Sequence, residues 1–218
     1  MISKQQAQKW IDDNTAVGCE IIDHNRPASD RIRDNLINSV DSCGIDGEWA
    51  EFGVKDGWSF NHIREHMPAG KTLHGFDTFE GLPEEWDIGT KVPYPAGILR
   101  AKKIPKDTDN KKYWVGLFSD QIPAYRKNYH DNMAFVHIDG DLYSSCNDVL
   151  YGLNDRIISG TVLVFDDFMM FETCDPKKWH NIWNHECRSL MEWCKSEGRV
   201  VEMFSRSNWM QASFRVLK

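Results

Sequence analysis

The stretch "MAFVHIDGDLYSSCNDVL", Met133 to Leu150, decides the fold. Its first part, "MAFVHID", is an apolar run of strand length. Its second part, from "SSCNDVL" onward to "YGLNDRI", has helical spacing. Between them stand two carboxylates, Asp139 and Asp141, separated by Gly140. A strand entering a core does not need acids at its tip, so these two are placed for something outside the strand.

The same strand-then-helix unit recurs on both sides. Upstream, "EWAEFGV" is a strand and "KDGWSFNHIREHM" a helix closed by Pro68 and Gly70. "KTLHGFD" is a second strand, "YWVGLF" a third, and "DQIPAYRKNY" a short helix. Downstream, Gly160 turns into the strand "TVLVFDD", and "HNIWNHECRSLMEWCKSEG" is a helix ending at Gly198. "RVVEMFS" and "WMQASFRVL" form a closing antiparallel pair. Strands alternating with helices require right-handed crossovers. The expected fold is therefore α/β and Rossmann-like: a doubly wound, mostly parallel, seven-stranded sheet with a C-terminal antiparallel strand pair and helices on both faces. Residues 1–46 are expected to form an N-terminal helical segment. It includes "SDRIRDNLINSV", with Ser29 as its cap and Ile32, Leu36, Ile37 and Val40 on one stripe. From Thr78 to Trp114 the chain is rich in Pro, Gly and Lys, an irregular excursion of a length that is uncommon unless functional.

The 218 residues suit one domain, and the net charge of −7 disfavours a nucleic-acid backbone or an anionic membrane as partner. No apolar run is long enough to span a bilayer and no signal peptide is visible, so a cytoplasmic location is expected. The six cysteines are scattered with no CxxC pair, which argues for reduced thiols rather than zinc or disulfides.

Ligands of such sheets bind at the carboxyl ends of the strands. The residues there are Glu51 and Gly53, Asp77, Ser119 and Asp120, Asp139 and Asp141, and Asp166 and Asp167. Gly53 and Gly57 make a relaxed Gly-rich turn, not the GxGxxG of dinucleotide enzymes nor a P-loop. Asp77 can accept hydrogen bonds from both hydroxyls of a ribose. Asp139, Asp166 and Asp167, converging at adjacent strand ends, would repel one another unless a cation sits among them. An all-oxygen set suits Mg²⁺ or Mn²⁺. The competing reading makes these acids helix caps, Asp141 above all.

"EFGVKDGWS", "LHGFDTFEGLPEEW", "FVHIDGDLYSS", "VLVFDDF" and "WMQASFRV" together resemble the macrocin O-methyltransferase (TylF-type) family of class I S-adenosyl-L-methionine-dependent methyltransferases. The resemblance runs from about Arg31 to the C-terminus and implies a methyltransferase domain over residues 47–218. It implies S-adenosyl-L-methionine as cofactor, Mg²⁺ or Mn²⁺, and methyl transfer to a hydroxyl of a small molecule, commonly a sugar or glycoside. By this match Glu51, Gly53 and Gly57 hold the methionine part and Ser59 faces its carboxylate. Asp77 binds the ribose, and Ser119 and Asp120 contact adenine. Asp139, Asp166 and Asp167 bind metal, Asp139 also bordering the cofactor. Asp141 is the candidate general base, with metal assistance or the helix cap before Leu142 as its other roles. His137 is expected to be a buried structural residue, and His180 and His185 lie near the last large helix. The expected partner is the small acceptor, with no nucleic acid and no membrane; a homo-oligomer is compatible with the chain. Two rival functions share the "IDGD" motif or the cofactor fold: a metal-dependent glycosyltransferase and a non-catalytic S-adenosylmethionine-binding protein. The Gly-rich turn, Asp77 and the second acid pair weigh against the first, and the presence of Asp139, Asp141, Asp166 and Asp167 together weighs against the second.

Overall fold

The computed structural model describes residues 1–22, 28–172 and 180–218; the side chains of 28, 29 and 31 also lie outside the description, and with them the expected cap Ser29, as does Cys174. Eight strands form one sheet. They are β1 (Thr15–Ile22), β2 (Glu48–Phe52), β3 (Leu73–Asp77), β4 (Lys111–Val115), β5 (Met133–Ile138), β6 (Ile157–Phe165), β7 (Val201–Ser207) and β8 (Ala212–Val216). Their order is β1-β7-β8-β6-β5-β2-β3-β4. Only the pairings of β8, with β6 and with β7, are antiparallel.

The expected count of seven strands is corrected to eight by β1, which lies within the N-terminal stretch expected to be helical. It runs parallel to β7 at the sheet edge. Only Ile22 of its residues is buried, so "TAVGCEII" carries no apolar alternation. Main-chain pairing holds it instead: Met203 N–H donates to the Asn14 carbonyl at 2.7 Å, and Asn208 N–H donates to the Ile22 carbonyl at 3.2 Å.

Among the described residues six α-helices cover the sheet: α1 (Lys4–Asp13), α2 (Ala28–Asp41), α3 (Trp58–His66), α4 (Phe118–Arg126), α5 (Tyr143–Gly152) and α6 (Glu186–Glu197). Strand alternation sorts them into two layers. Phe135, Val162 and Val164 point to the face covered by Leu36 and Val40 of α2 and by Phe60 and Ile63 of α3. Val136, Ile138, Leu163 and Phe165 point to the other, packed by Ile11 of α1, Ile122 of α4, Val149 of α5 and Leu190 of α6. Helix α1 starts with a capping box, Ser3 accepting from Gln6 N–H and the Gln6 side chain accepting from Ser3 N–H. Among the described residues no helix is long and apolar enough to cross a membrane.

From the centre, the parallel strands β2, β3 and β4 are laid out toward one edge of the sheet and β5 and β6 toward the other. Strands β2 and β5 are therefore neighbours at the point where the order reverses, and the crevice of such a sheet opens at their carboxyl ends.

Candidate active site

The crevice is a cavity of about 330 Å³. Its lining includes Gly53, Lys55, Asp77, Ser119, Asp139 and Asp141 from the strand ends, together with Leu82, Glu84 and Leu99 from the 78–110 excursion. That excursion is folded against the body. Trp86 and Tyr94 exchange main-chain hydrogen bonds, and Ile88 is fully buried. The His185 Nε2–H donates to the Asp87 carbonyl at 2.9 Å, and Ser144 of α5 donates to Glu84.

Gly53 has φ +97° and touches the other half of the site. A Cβ built on it would lie 1.8 Å from the Asp139 carbonyl oxygen. Its missing side chain thus lets the turns after β2 and β5 meet, rather than simply opening room for a ligand. Gly57, at φ +81°, caps the start of α3 without lining the cavity. Asp77 organises the same turn: Oδ2 accepts from Val54 and Lys55 N–H at 2.8 and 2.6 Å, and Oδ1 from Phe79 N–H at 2.6 Å. A carboxylate oxygen has two acceptor positions. One on Oδ1 is left free of these main-chain bonds.

Glu51 and Ser59 are buried and do not line the cavity. Glu51 Oε1 lies 2.8 Å from His137 Nδ1, and both side chains are shielded from water. Burial raises the Glu51 pKa, opposed by His137 and then by Ser59. The pair sits behind Asp166, whose own raised pKa comes from burial and is held back by the His137 charge. Ser119 lines the cavity but Asp120 is exposed on α4. Asp148 of α5 takes the place expected of Asp120, lining the cavity and accepting from the Ser119 main chain.

Asp139, Asp166 and Asp167 offer ligand atoms that all lie within 4.8 Å of one another. At an effective dielectric of 20, each pair of charges at that range repels by about 3–4 kcal/mol, so three pairs together rival the whole stability of a domain, roughly 5–15 kcal/mol. The acids must share protons or a cation. Burial first, and then their mutual charges, hold Asp139, Asp141, Asp167 and the further acid Glu186 well above the usual carboxylate range. Asp141 and Asp167 lie close enough for each to shift the other's pKa. Asp141 is not a helix cap: the N-cap of α5 is Leu142, with no side-chain capping bond. It sits instead at φ +58°, a conformation that is uncommon outside glycine and that clusters at functional sites. No helix begins at Asp166–Asp167 either; among the described residues the next one is at Ile182.

Among the described residues, three buried polar atoms around these acids have no partner in hydrogen-bond geometry: Glu51 Oε2, Glu186 Oε1 and Gln211 Nε2. Buried groups left unpaired mark a place for an ion or water. Together with the all-oxygen donor set, they fit a hard divalent cation. Glu186 and Gln211 were not anticipated from sequence. The signal for Glu186 was available: it lies four and seven residues before Leu190 and Trp193, so it occupies the buried stripe of α6, where a carboxylate has no structural purpose.

Residues 4–188 match the family described as Macrocin-O-methyltransferase (TylF). The chain belongs to the macrocin O-methyltransferase family. Among TylF-family relatives is the 8-demethyl-8-(2,3-dimethoxy-alpha-L-rhamnosyl)-tetracenomycin-C 4'-O-methyltransferase of Streptomyces olivaceus. It is 26% identical over 62% of this chain and 59% of that protein. The demethyldecarbamoylnovobiocin O-methyltransferase of Streptomyces niveus is 23% identical over 63% and 59%. The chain thus spans under two thirds of the length of both curated relatives. Of solved structures, the calicheamicin methyltransferase CalS11 superposes with a TM-score of 0.65 at 19% identity, over 88% of this chain and 80% of that one. The O-methyltransferase NovP gives 0.57 at 20% identity, over 87% and 79%. At these identities the two structures establish the shared fold.

Proposed function

We propose that this TylF-family protein is an S-adenosyl-L-methionine-dependent O-methyltransferase that uses Mg²⁺ or Mn²⁺ and acts on a hydroxyl of a sugar or glycoside, residues 47–218 forming its catalytic unit. The observation that carries the reading is the juxtaposition of the Asp139–Asp166–Asp167 cluster with a cavity bordered by Gly53, Asp77 and Ser119. Both curated relatives are named as O-methyltransferases, and the name of the first carries a rhamnosyl group, which supports the acceptor class.

In this reading the cofactor's ribose hydroxyls bond Asp77 Oδ1, and its adenine lies toward Ser119, Phe118 and Asp148. The turn from Gly53 to Gly57 carries the methionine end, with Glu51 and Ser59 as buried support. Asp120 then shapes the start of α4 from outside. Asp139, Asp166 and Asp167 hold the metal, which when bound orients an acceptor hydroxyl and lowers its pKa. Asp141 borders both the cavity and the cluster and is the general base. Its raised pKa, set by burial and then by Asp139, suits a carboxylate that must take a proton near neutral pH. Methyl transfer itself needs an acceptor oxygen aligned with the sulfonium, so positioning supplies most of the catalysis. The walls from the 78–110 excursion exclude water and shape the acceptor's approach.

Calorimetry with S-adenosylhomocysteine and with UDP, followed by transfer of labelled methyl groups to a panel of sugars, glycosides and phenols with Mg²⁺, tests the reading. Binding of S-adenosylhomocysteine and labelling of a sugar hydroxyl are expected. UDP binding without S-adenosylhomocysteine binding transfers the site to glycosyl transfer. Cofactor binding with no labelled acceptor of any class favours a non-catalytic binding protein.

A further inference from the structure

Glu186 belongs to none of the roles above, yet its carboxylate is fully buried among the acids of the site. It comes from the first turn of α6, 19 residues beyond Asp167 in sequence. Its Oε2 accepts the main-chain N–H of Asp167 at 3.0 Å. The main-chain N–H of Gly140, between Asp139 and Asp141, is close enough to this carboxylate to oppose the rise in its pKa. One side chain therefore stands against the two turns that carry the metal-binding acids, bonded to the turn after β6 and beside the turn after β5. Its other oxygen, Oε1, is buried and has no hydrogen-bond partner among the described residues.

This arrangement is costly unless it serves the ion. A buried carboxylate beside like charges opposes folding, and the amide it bonds could be satisfied by a neutral acceptor or water. Nearby, the main chain is held at Asp141 in an unusual conformation, so the β5 turn needs an external fastening.

We propose that Glu186 is a positioning residue of the metal site: it sets the separation of the Asp139 and Asp167 turns, and the affinity for the divalent ion depends on it. The inference rests on the metal-dependent reading of the site. Its claim is narrower, that the fastening is made from α6 and that it matters for the ion more than for the fold. Groups that orient the ligands of a metal typically change its affinity by roughly 10–100-fold when removed.

The test is Mn²⁺ binding to the full chain, by calorimetry and by the electron paramagnetic resonance signal of free Mn²⁺, for the parent, Glu186→Gln and Glu186→Ala. Thermal unfolding of the metal-free proteins is measured alongside. Glutamine keeps an oxygen for the Asp167 N–H; alanine does not. The expected result is a loss of roughly 10–100-fold in Mn²⁺ affinity for Glu186→Ala, with Glu186→Gln within about threefold of the parent. The metal-free Tm of both variants should equal or exceed the parent's, because a buried like charge is gone. Equal Mn²⁺ affinity in all three proteins overturns the inference while leaving the metal reading intact. Loss of affinity that merely tracks loss of Tm also overturns it, since Glu186 is then a structural residue. A parent that binds no Mn²⁺ overturns the metal reading, and this inference with it.

Discussion

The two ends of β5 and β6 treat polar side chains in opposite ways. At the amino ends they are paired. Thr161 Oγ1 donates to the Met133 carbonyl at 2.7 Å and accepts from Ile158 N–H at 3.0 Å. Arg199 Nη1 donates to the Ile157 carbonyl at 2.9 Å, and Arg156 donates to the Tyr129 and Arg126 carbonyls. At the carboxyl ends, about 20 Å away at the rise of a strand, Glu51, Glu186 and Gln211 each leave a buried atom unpaired, and the acids crowd one another. An unsatisfied buried group costs about 1–3 kcal/mol. The same two strands thus hold the domain together at one end and give stability up at the other.

The sharpest way to break this contrast is to remove the ion. Excess chelator should abolish labelled methyl transfer, and Mg²⁺ or Mn²⁺ should restore it; full turnover with metal content verified as nil would return the acids to a purely structural role. Next in size is Asp141→Asn. Its rate should fall by roughly 10²–10⁴, the usual range for a positioned base, while Mn²⁺ and cofactor affinities stay near the parent's. The residual rate should rise with pH as hydroxide replaces the base. If this variant loses Mn²⁺ as severely as Asp139→Asn, Asp141 is a ligand instead.

Two substitutions of comparable size separate the ends. Asp77→Ala should weaken S-adenosylhomocysteine binding by ~1–3 kcal/mol, read by calorimetry, because the ribose acceptor and the fastening of the Gly53–Lys55 turn go together. Thr161→Val should cost ~1–3 kcal/mol of folding stability in urea and leave Mn²⁺ affinity untouched. A metal defect in Thr161→Val would show the ends to be coupled.

The smallest effect is on pH. The folded pKa values of Asp139, Asp141, Asp166, Asp167 and Glu186 are raised, first by burial. Their stabilising contribution is therefore complete below the unfolded carboxylate pKa, near 4, and is lost as pH rises through the folded values. Lowering the pH from 8 toward 5 should raise the Tm of the metal-free protein, by about 2–4 °C for each kcal/mol regained. Saturating Mn²⁺ should remove that trend. An identical pH slope with and without Mn²⁺ would mean that the acids and the ion do not meet.

Most of the sheet was legible because its central strands are apolar runs with punctuated ends: "MAFVHID" contains β5, and "TVLVFDD" supplies the second half of β6, which begins at Ile157 and runs through Gly160. Strand β1 was not, since an edge strand exposed along most of its length carries no periodic signal. In the site, the acids at strand tips could be read as a group because each ends an apolar run. The stretch of chain that would fasten them could not. Glu186 and Gln211 reach the cluster from α6 and from the start of β8, and only tertiary folding brings them there. Asp148 lines the cavity and Asp120 does not, for the same reason: the helix phase of α5 turns Asp148 inward while Asp120 is exposed on α4. Gly53 was correctly singled out for its missing side chain, yet the neighbour that requires it, the Asp139 carbonyl, lies 86 residues away in sequence.

Strand β8 follows every other strand in sequence but lies inside the sheet, joining β6 to β7. During synthesis, then, β6 has an open edge until Ala212–Val216 arrives, and β7 with β1 has no attachment to the rest of the sheet. Long-range pairing of this kind slows folding and leaves apolar strand edges open to other chains in the interim. A chain cut before Ala212 should accumulate as an aggregate, not as a smaller folded unit. Gln211, which stands beside Asp166, arrives with the same strand, so closure of the sheet and completion of the acid site are one event in the life of the nascent protein.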